Sequence, residues 1–212
     1  MLSTKANEVL ETLNADSVPM GKLKSIAKGI KRDHALAMEL WSTEKYYPRL
    51  VAVLILDKNT LSLSVIETMM SDLAVHEETE ALRISEWFLA NQLTKSKKTI
   101  KLLESFQHHN QSILRRLFWY YQARLRWTGK TEFENTNRLV HDIESDLATE
   151  EPIVQWTMNM CAAWIGIFEP IYKDRLVALG EKVGLYKSEK VAKGCTPNYL
   201  PEFIKIESEK HK

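Results

Sequence analysis

The chain's breakers limit its fold more than any other feature. Seven glycines and six prolines in 212 residues fall between periodic segments, and no run alternates apolar and polar residues long enough to make a half-buried strand. The spacing predicts helix throughout. Segments 3–13, 22–31, 33–41, 48–57, 64–73, 78–93, 96–106, 110–127, 131–146, 152–168 and 170–183 each repeat apolar residues at helical intervals, and a tail carries a turn over 194–201 and a last short helix. Asp33 is a ready N-cap, Ser64 with Glu67 and Thr131 with Glu134 have capping-box spacing, and Pro152 and Pro170 suit first helical positions.

About eleven helices with short connections form either a compact bundle or an α-solenoid of paired helices, each pair burying its apolar face against its neighbours. We expect the solenoid: one domain over 1–212, with a tail from about 185. The pairs would run antiparallel and wind as a right-handed superhelix. No strict period is visible, so the repeats are degenerate.

Charge is distributed unevenly. Residues 93–131 hold nine basic residues and one acid, a local +8 in a chain of net +1, which leaves −7 elsewhere. Such asymmetry points to an electropositive face and an anionic partner. Its centre is the helix NQSILRRLFWYYQARLRW, residues 110–127. Leu114, Leu117, Phe118, Tyr121 and Leu125 form a candidate buried stripe that Arg115, Arg116, Arg124 and Arg126 cannot all join. No acid stands between Glu104 and Glu132. Guanidiniums without local partners beside Trp119, Tyr120 and Trp127 suit phosphates or base faces. The plainer reading lays their stems along the helix and their heads in water.

Several enzyme classes are set aside. There is no GxGxxG, no phosphate-binding GxxxxGK[ST] and no HExxH. His108 and His109 are adjacent, so on a helix they face different ways and cannot chelate one metal. We expect no metal and no cofactor. Cys161 and Cys195 are far apart, and Cys161 sits in an apolar helical run, which suits a core thiol in a reducing, cytoplasmic setting. The longest aliphatic run, 50–56, is too short to span a bilayer. Among carboxylates Glu86 stands out, beside Trp87 and among Leu82, Ile84, Phe88 and Leu89. It is either a rim glutamate or an acid with a perturbed pKa. Trp156, Met160, Ala163 and Ile167 read as one packing stripe, with Asn159 a buried amide in need of partners.

The stretch 154–204, with QWTMN, ALGEKVGLY and KGCTP, resembles the DNA alkylation repair (AlkD-like) family of HEAT-like helical repeats. So do IAKGIKRDHALAMELW near the N-terminus and RRLFW in the middle. The resemblance implies a glycosylase that removes cationic N3- and N7-alkylpurines by hydrolysing the N-glycosidic bond, from a divergent branch. Glu86 would stand for the family's catalytic aspartate and Arg116 for its arginine, while two of its aromatic positions fall on Leu82 and Met160. The expected partner is double-stranded DNA, held through its backbone by the basic residues of the +8 segment, Lys97, Lys98, Arg115, Arg116, Arg124, Arg126 and Lys130, with Trp119, and the protein is expected to be a monomer. The alternative is a non-catalytic helical-repeat scaffold that binds DNA structures or another protein. Scatter of the nine basic residues around the surface would take the main support from the nucleic-acid reading.

Overall fold

In a computed structural model, which describes residues 2–129 and 134–211, the periodic segments form twelve α-helices among the described residues, with no strand. They are α1 (Thr4–Thr12), α2 (Met20–Ile30), α3 (His34–Trp41), α4 (Tyr46–Ile55), α5 (Leu63–Ser71), α6 (Glu78–Asn91), α7 (Lys97–Glu104), α8 (Ser112–Trp127), α9 (Thr136–Asp146), α10 (Pro152–Phe168), α11 (Pro170–Val183) and α12 (Leu200–Lys210). Short 3-10 turns extend α5, α6 and α7. Two compact units result, residues 1–106 and 107–212.

Local chemistry explains most boundaries. Asp33 caps α3 through the Leu36 N–H at 3.1 Å, and Ser3 and Ser96 cap α1 and α7 in the same way. Pro48 lies inside the first turn of α4, where a missing N–H removes no intrahelical bond. The capping box at Ser64 and Glu67 is corrected by two residues. Ser62 is the cap, accepting from the Val65 N–H, and α5 starts at Leu63. Leu61 and Ile66, the two positions of a hydrophobic staple, are both fully buried and set this start. Thr131 lies outside the described residues; the helix expected from it begins at Thr136, after Asn135.

In the first unit α4 is central, packing against α2, α3 and α6. Seven of its ten residues are buried, as a helix surrounded by others requires. Arg49 is among them. Its Nε donates to the Trp41 carbonyl at 3.1 Å, its Nη1 to the Asp72 carbonyl at 2.7 Å, and its guanidinium lies 4.9 Å from the Trp41 ring centre. The Trp41 indole N–H in turn donates to the Asp72 carboxylate. A buried arginine is tolerable only when its donors are taken up in this way.

In the second unit α10 packs against α8, α11 and α12. Two glycines stand inside helices here, not between them as the breakers suggested, and both seat α12. A Cβ on Gly166 would meet Ile204 Cδ1 at 2.7 Å, the movable end of a side chain. A Cβ on Gly180 would meet Pro201 Cδ at 2.7 Å and Leu200 Cβ at 2.9 Å, which cannot swing aside. Gly180→Ala is therefore expected to destabilise the second unit by roughly 1–3 kcal/mol, the range for overpacking, and by more than Gly166→Ala. Urea denaturation of both variants tests this, and equal losses would refute it.

Candidate nucleic-acid interface

Of the five residues in the expected buried stripe of α8, Leu114, Leu117, Phe118 and Tyr121 are buried and Leu125 is half-buried. The four arginines separate sharply. Arg115 grips Glu150 with two bonds, Nε to Oε2 at 2.8 Å and Nη2 to Oε1 at 2.7 Å. It also reaches Glu151 at 3.1 Å and the carbonyls of His109 and Asn110. Hydrogen bonding to Arg115 holds the Glu150 carboxyl below its ordinary range. Acids 35 and 36 residues away, at the turn into α10, thus supply the partners that the local sequence lacks.

Arg126 is 1% exposed. Its donors go to the Glu169 carboxylate at 3.3 Å, the Thr136 hydroxyl at 2.8 Å, the Asn135 side-chain oxygen at 3.1 Å and the Gln122 carbonyl at 3.2 Å. Burial pushes the Glu169 carboxyl up, against the lowering pull of Thr136 and Arg126. These contacts make Arg126 a core residue, out of reach of a phosphate. Trp119 is 2% exposed and packs edge-on against Phe118, so it too belongs to the core and not to a base-binding surface. Lys130 lies outside the described residues.

Arg116 and Arg124 lie on the other face of α8, but Arg116 is only 5% exposed, so of the four arginines expected to hold phosphate only Arg124 stays half-exposed and outside the ion pairs described above. Residues 116, 120, 124 and 127 recur at three- and four-residue steps, so Arg116, Tyr120, Arg124 and Trp127 share one stripe. The Arg116 guanidinium donates to the Ile153 carbonyl at 2.7 Å and lies 4.9 Å from the Trp156 ring centre, a cation–π contact. Arg124 is half-exposed. On α10 the matching stripe is Trp156, Met160, Trp164 and Phe168, all half-buried; on α12 it is Phe203 and Glu207, continued by His211 at the C-cap. Ring contacts join the three helices. Tyr120 lies 6.3 Å from both Trp127 and Trp156, Trp127 lies 6.1 Å from Trp164, and Trp164 stacks on Phe168 at 5.7 Å. Phe203 and His211 close on Trp164 from α12, each at 5.7 Å.

The sequence reading missed Trp164, Phe168, Phe203 and His211. Trp156 and Met160, expected on a packing stripe with Ala163 and Ile167, belong to this half-buried face. The four-residue step from 156 to 168 was the available signal, and it differs from that stripe by a small rotation. Asn159 does find its partner: it is 4% exposed and its amide donates to the Asn198 carbonyl at 2.7 Å, fixing the loop before α12.

In the first unit, Lys95, Lys97 and Lys98 gather around the start of α7 and Lys101 lies in its last turn, all exposed. Lys98 Nζ donates to the Asn59 carbonyl at 3.0 Å, and Lys58 Nζ donates to the Lys95 carbonyl at 3.3 Å, which adds a fifth lysine to the cluster. Glu86 is half-exposed on α6. Its neighbour Trp87 is fixed, donating from its indole to the Leu50 carbonyl at 3.1 Å beneath the Lys24 ammonium, 5.5 Å from the ring centre. Cys161 is fully buried and its thiol is pushed up to about 12, so it is inert. No group of three or more His, Cys, Asp or Glu side chains suited to a metal exists among the described residues, and no described helix is long and apolar enough to cross a membrane.

The architecture is an α-solenoid of HEAT-like helix pairs. It is similar to a solved structure from "a new family of proteins related to the HEAT-like repeat DNA glycosylases with affinity for branched DNA structures", with a TM-score of 0.68 and 17% identity over 99% of this chain and 89% of that one. The sequence model of the DNA alkylation repair enzyme family matches residues 11–167. The chain belongs to that family. The matched interval ends inside α10, so most of the stretch 154–204, which carries much of the visible resemblance, lies beyond it. A search of curated proteins returns no match.

Proposed function

We propose that the protein binds double-stranded DNA through its phosphate backbone, without reading sequence. The observation that carries this is the lysine cluster at the start of α7. A helix N-terminus is itself electropositive, so lysines there are unfavourable unless an anion is bound. Lys97, Lys98 and Lys101 supply phosphate contacts in the first unit, and Arg124 is the arginine of α8 open to a phosphate in the second, each unit taken by itself; Arg115, Arg116, Arg126 and Trp119 do not contribute. Membership of the alkylation repair family supports DNA as the anion.

A second reading adds chemistry: hydrolysis of the N-glycosidic bond of cationic N3- and N7-alkylpurines. Glu86 favours it, being half-exposed beside a tryptophan held by the Leu50 carbonyl and the Lys24 ammonium. The leaving base already carries positive charge. A carboxylate near the sugar then helps by stabilising the oxocarbenium-like stage, and little else is needed. Glutamate is one methylene longer than the aspartate it replaces, and a displacement of about 1 Å lowers rates on the order of a hundredfold. Slow release is therefore expected.

One set of measurements tests both readings. Duplex affinity is expected to fall linearly on a log–log salt plot, with a slope of about −0.9 per phosphate contacted. Salt-independent binding, or none at low salt, would remove the DNA-binding reading. With methylated duplex, slow release of 3-methyladenine or 7-methylguanine is expected, abolished by Glu86→Gln with duplex affinity retained. Release that survives Glu86→Gln would remove Glu86 from the reaction.

A further inference from the structure

We infer that the aromatic face formed by α8, α10 and α12 is a stacking platform for unpaired bases of single-stranded DNA. The inference rests on the DNA-binding reading above and extends it to a second form of the same polymer. In a duplex the base faces are hidden by their neighbours, so a phosphate-binding surface has no use for exposed π-surfaces. This protein has both. Tyr120, Trp127, Trp164 and Phe168 run as a continuous series of rings with centres 5.7–6.3 Å apart. Trp127 is 40% exposed at one end, and His211, with its side chain 42% exposed, lies against Trp164 and Phe168 at the other.

The charges on this face fit a nucleic acid strand better than a protein helix. Arg124, half-exposed, stands between Tyr120 and Trp127 along α8, which places a cation for the backbone between rings for the bases, while the buried Arg116 holds Trp156 in place from beneath. The acid on the α12 stripe, Glu207, is already engaged by Lys210 at 2.7 Å and by the Thr196 hydroxyl. A groove for an amphipathic helix would instead be lined with aliphatic and methionine side chains; Met160 is the only such residue among the eight on the α8 and α10 stripes. Base–aromatic stacking tolerates any sequence, because every base has a π-face. The platform is thus selective for strand form and not for base identity.

The test compares a short oligothymidylate with a blunt duplex of the same length, at low salt, by quenching of tryptophan fluorescence and by a gel shift. Oligothymidylate is expected to bind at least as tightly as duplex. Trp127→Ala is expected to weaken oligothymidylate roughly tenfold or more, the scale of one lost base stack, while leaving duplex affinity unchanged. Trp127→Phe, which keeps a ring, restores most of the loss, and Arg124→Ala weakens both probes. Trp127 is partly in solvent, so its removal does not threaten the fold. Duplex binding with no effect of Trp127→Ala on oligothymidylate, or an equal loss on both probes, overturns the platform and leaves the backbone reading standing. Absence of binding to either probe removes the backbone reading as well. A protein that self-associates in sedimentation and becomes monomeric on Trp127→Ala would assign the face to contact between two copies and overturn the inference.

Discussion

Replacing Arg126 with methionine is expected to lower the stability of the second unit by about 3–5 kcal/mol, the range for removing one member of a buried ion pair. The Arg126 side chain is fully buried and the Glu169 side chain 11% exposed. Arg126 joins the end of α8 to Asn135 and Thr136 at the start of α9 and to Glu169 between α10 and α11. Without the guanidinium, the Glu169 carboxylate keeps only the Thr136 hydroxyl at 2.9 Å among these partners, in surroundings that already penalise its charge. The double variant Arg126→Met with Glu169→Leu removes both charges and is expected to recover much of the loss, because a well-packed apolar pair often equals a buried ion pair. Urea unfolding of both variants measures this. A single-variant loss below about 1 kcal/mol, the scale of an exposed ion pair, would show that Arg126 is not the junction described here.

The fold was legible because its signals are local. Capping side chains, prolines at first helical positions and apolar periodicity depend on residues within a turn of one another. Where they erred, as at Ser64, the error was two residues, because Ser62 and Ser64 satisfy the same local rule and the buried Leu61 and Ile66 decide between them. The site was less legible because its chemistry is not local. Four arginines in twelve residues look equivalent until Glu150, Glu151 and Glu169 are brought to two of them from 35 to 43 residues away. Trp119 and Trp127 look equally suited to a base until the helix phase buries one and exposes the other. On α10 the same ambiguity of phase runs the other way, and Trp156, which reads as packing, forms part of a half-buried face. Asn159 was legible, because a buried amide demands a partner whatever the fold supplies.

Changing Lys97, Lys98 and Lys101 together to alanine is expected to act on binding and stability in opposite directions. Each lysine that contacts a phosphate releases about one counterion, so the triple variant should flatten the salt dependence of duplex binding by about 2.7 in log–log slope. Affinity at low salt should fall correspondingly. Meanwhile α7 should become slightly more stable, because the gain at Lys97 and Lys98 outweighs the loss of Lys101 from the last turn, where the dipole favours a cation. Lys97 and Lys98 lie in its first turn, where the helix dipole disfavours cations by about 0.3–1 kcal/mol each, and alanine has the best helix propensity. Ser96, which caps the helix through the Thr99 N–H at 3.2 Å, is untouched. A rise in melting temperature with a loss of DNA affinity separates lost contacts from lost folding, the usual ambiguity of such variants. Alanines at Lys187, Lys190 and Lys193, exposed in the segment before α12, change net charge by the same amount and should leave the slope unaltered. If the two triple variants flatten the slope equally, duplex binding responds to total charge and not to the α7 cluster.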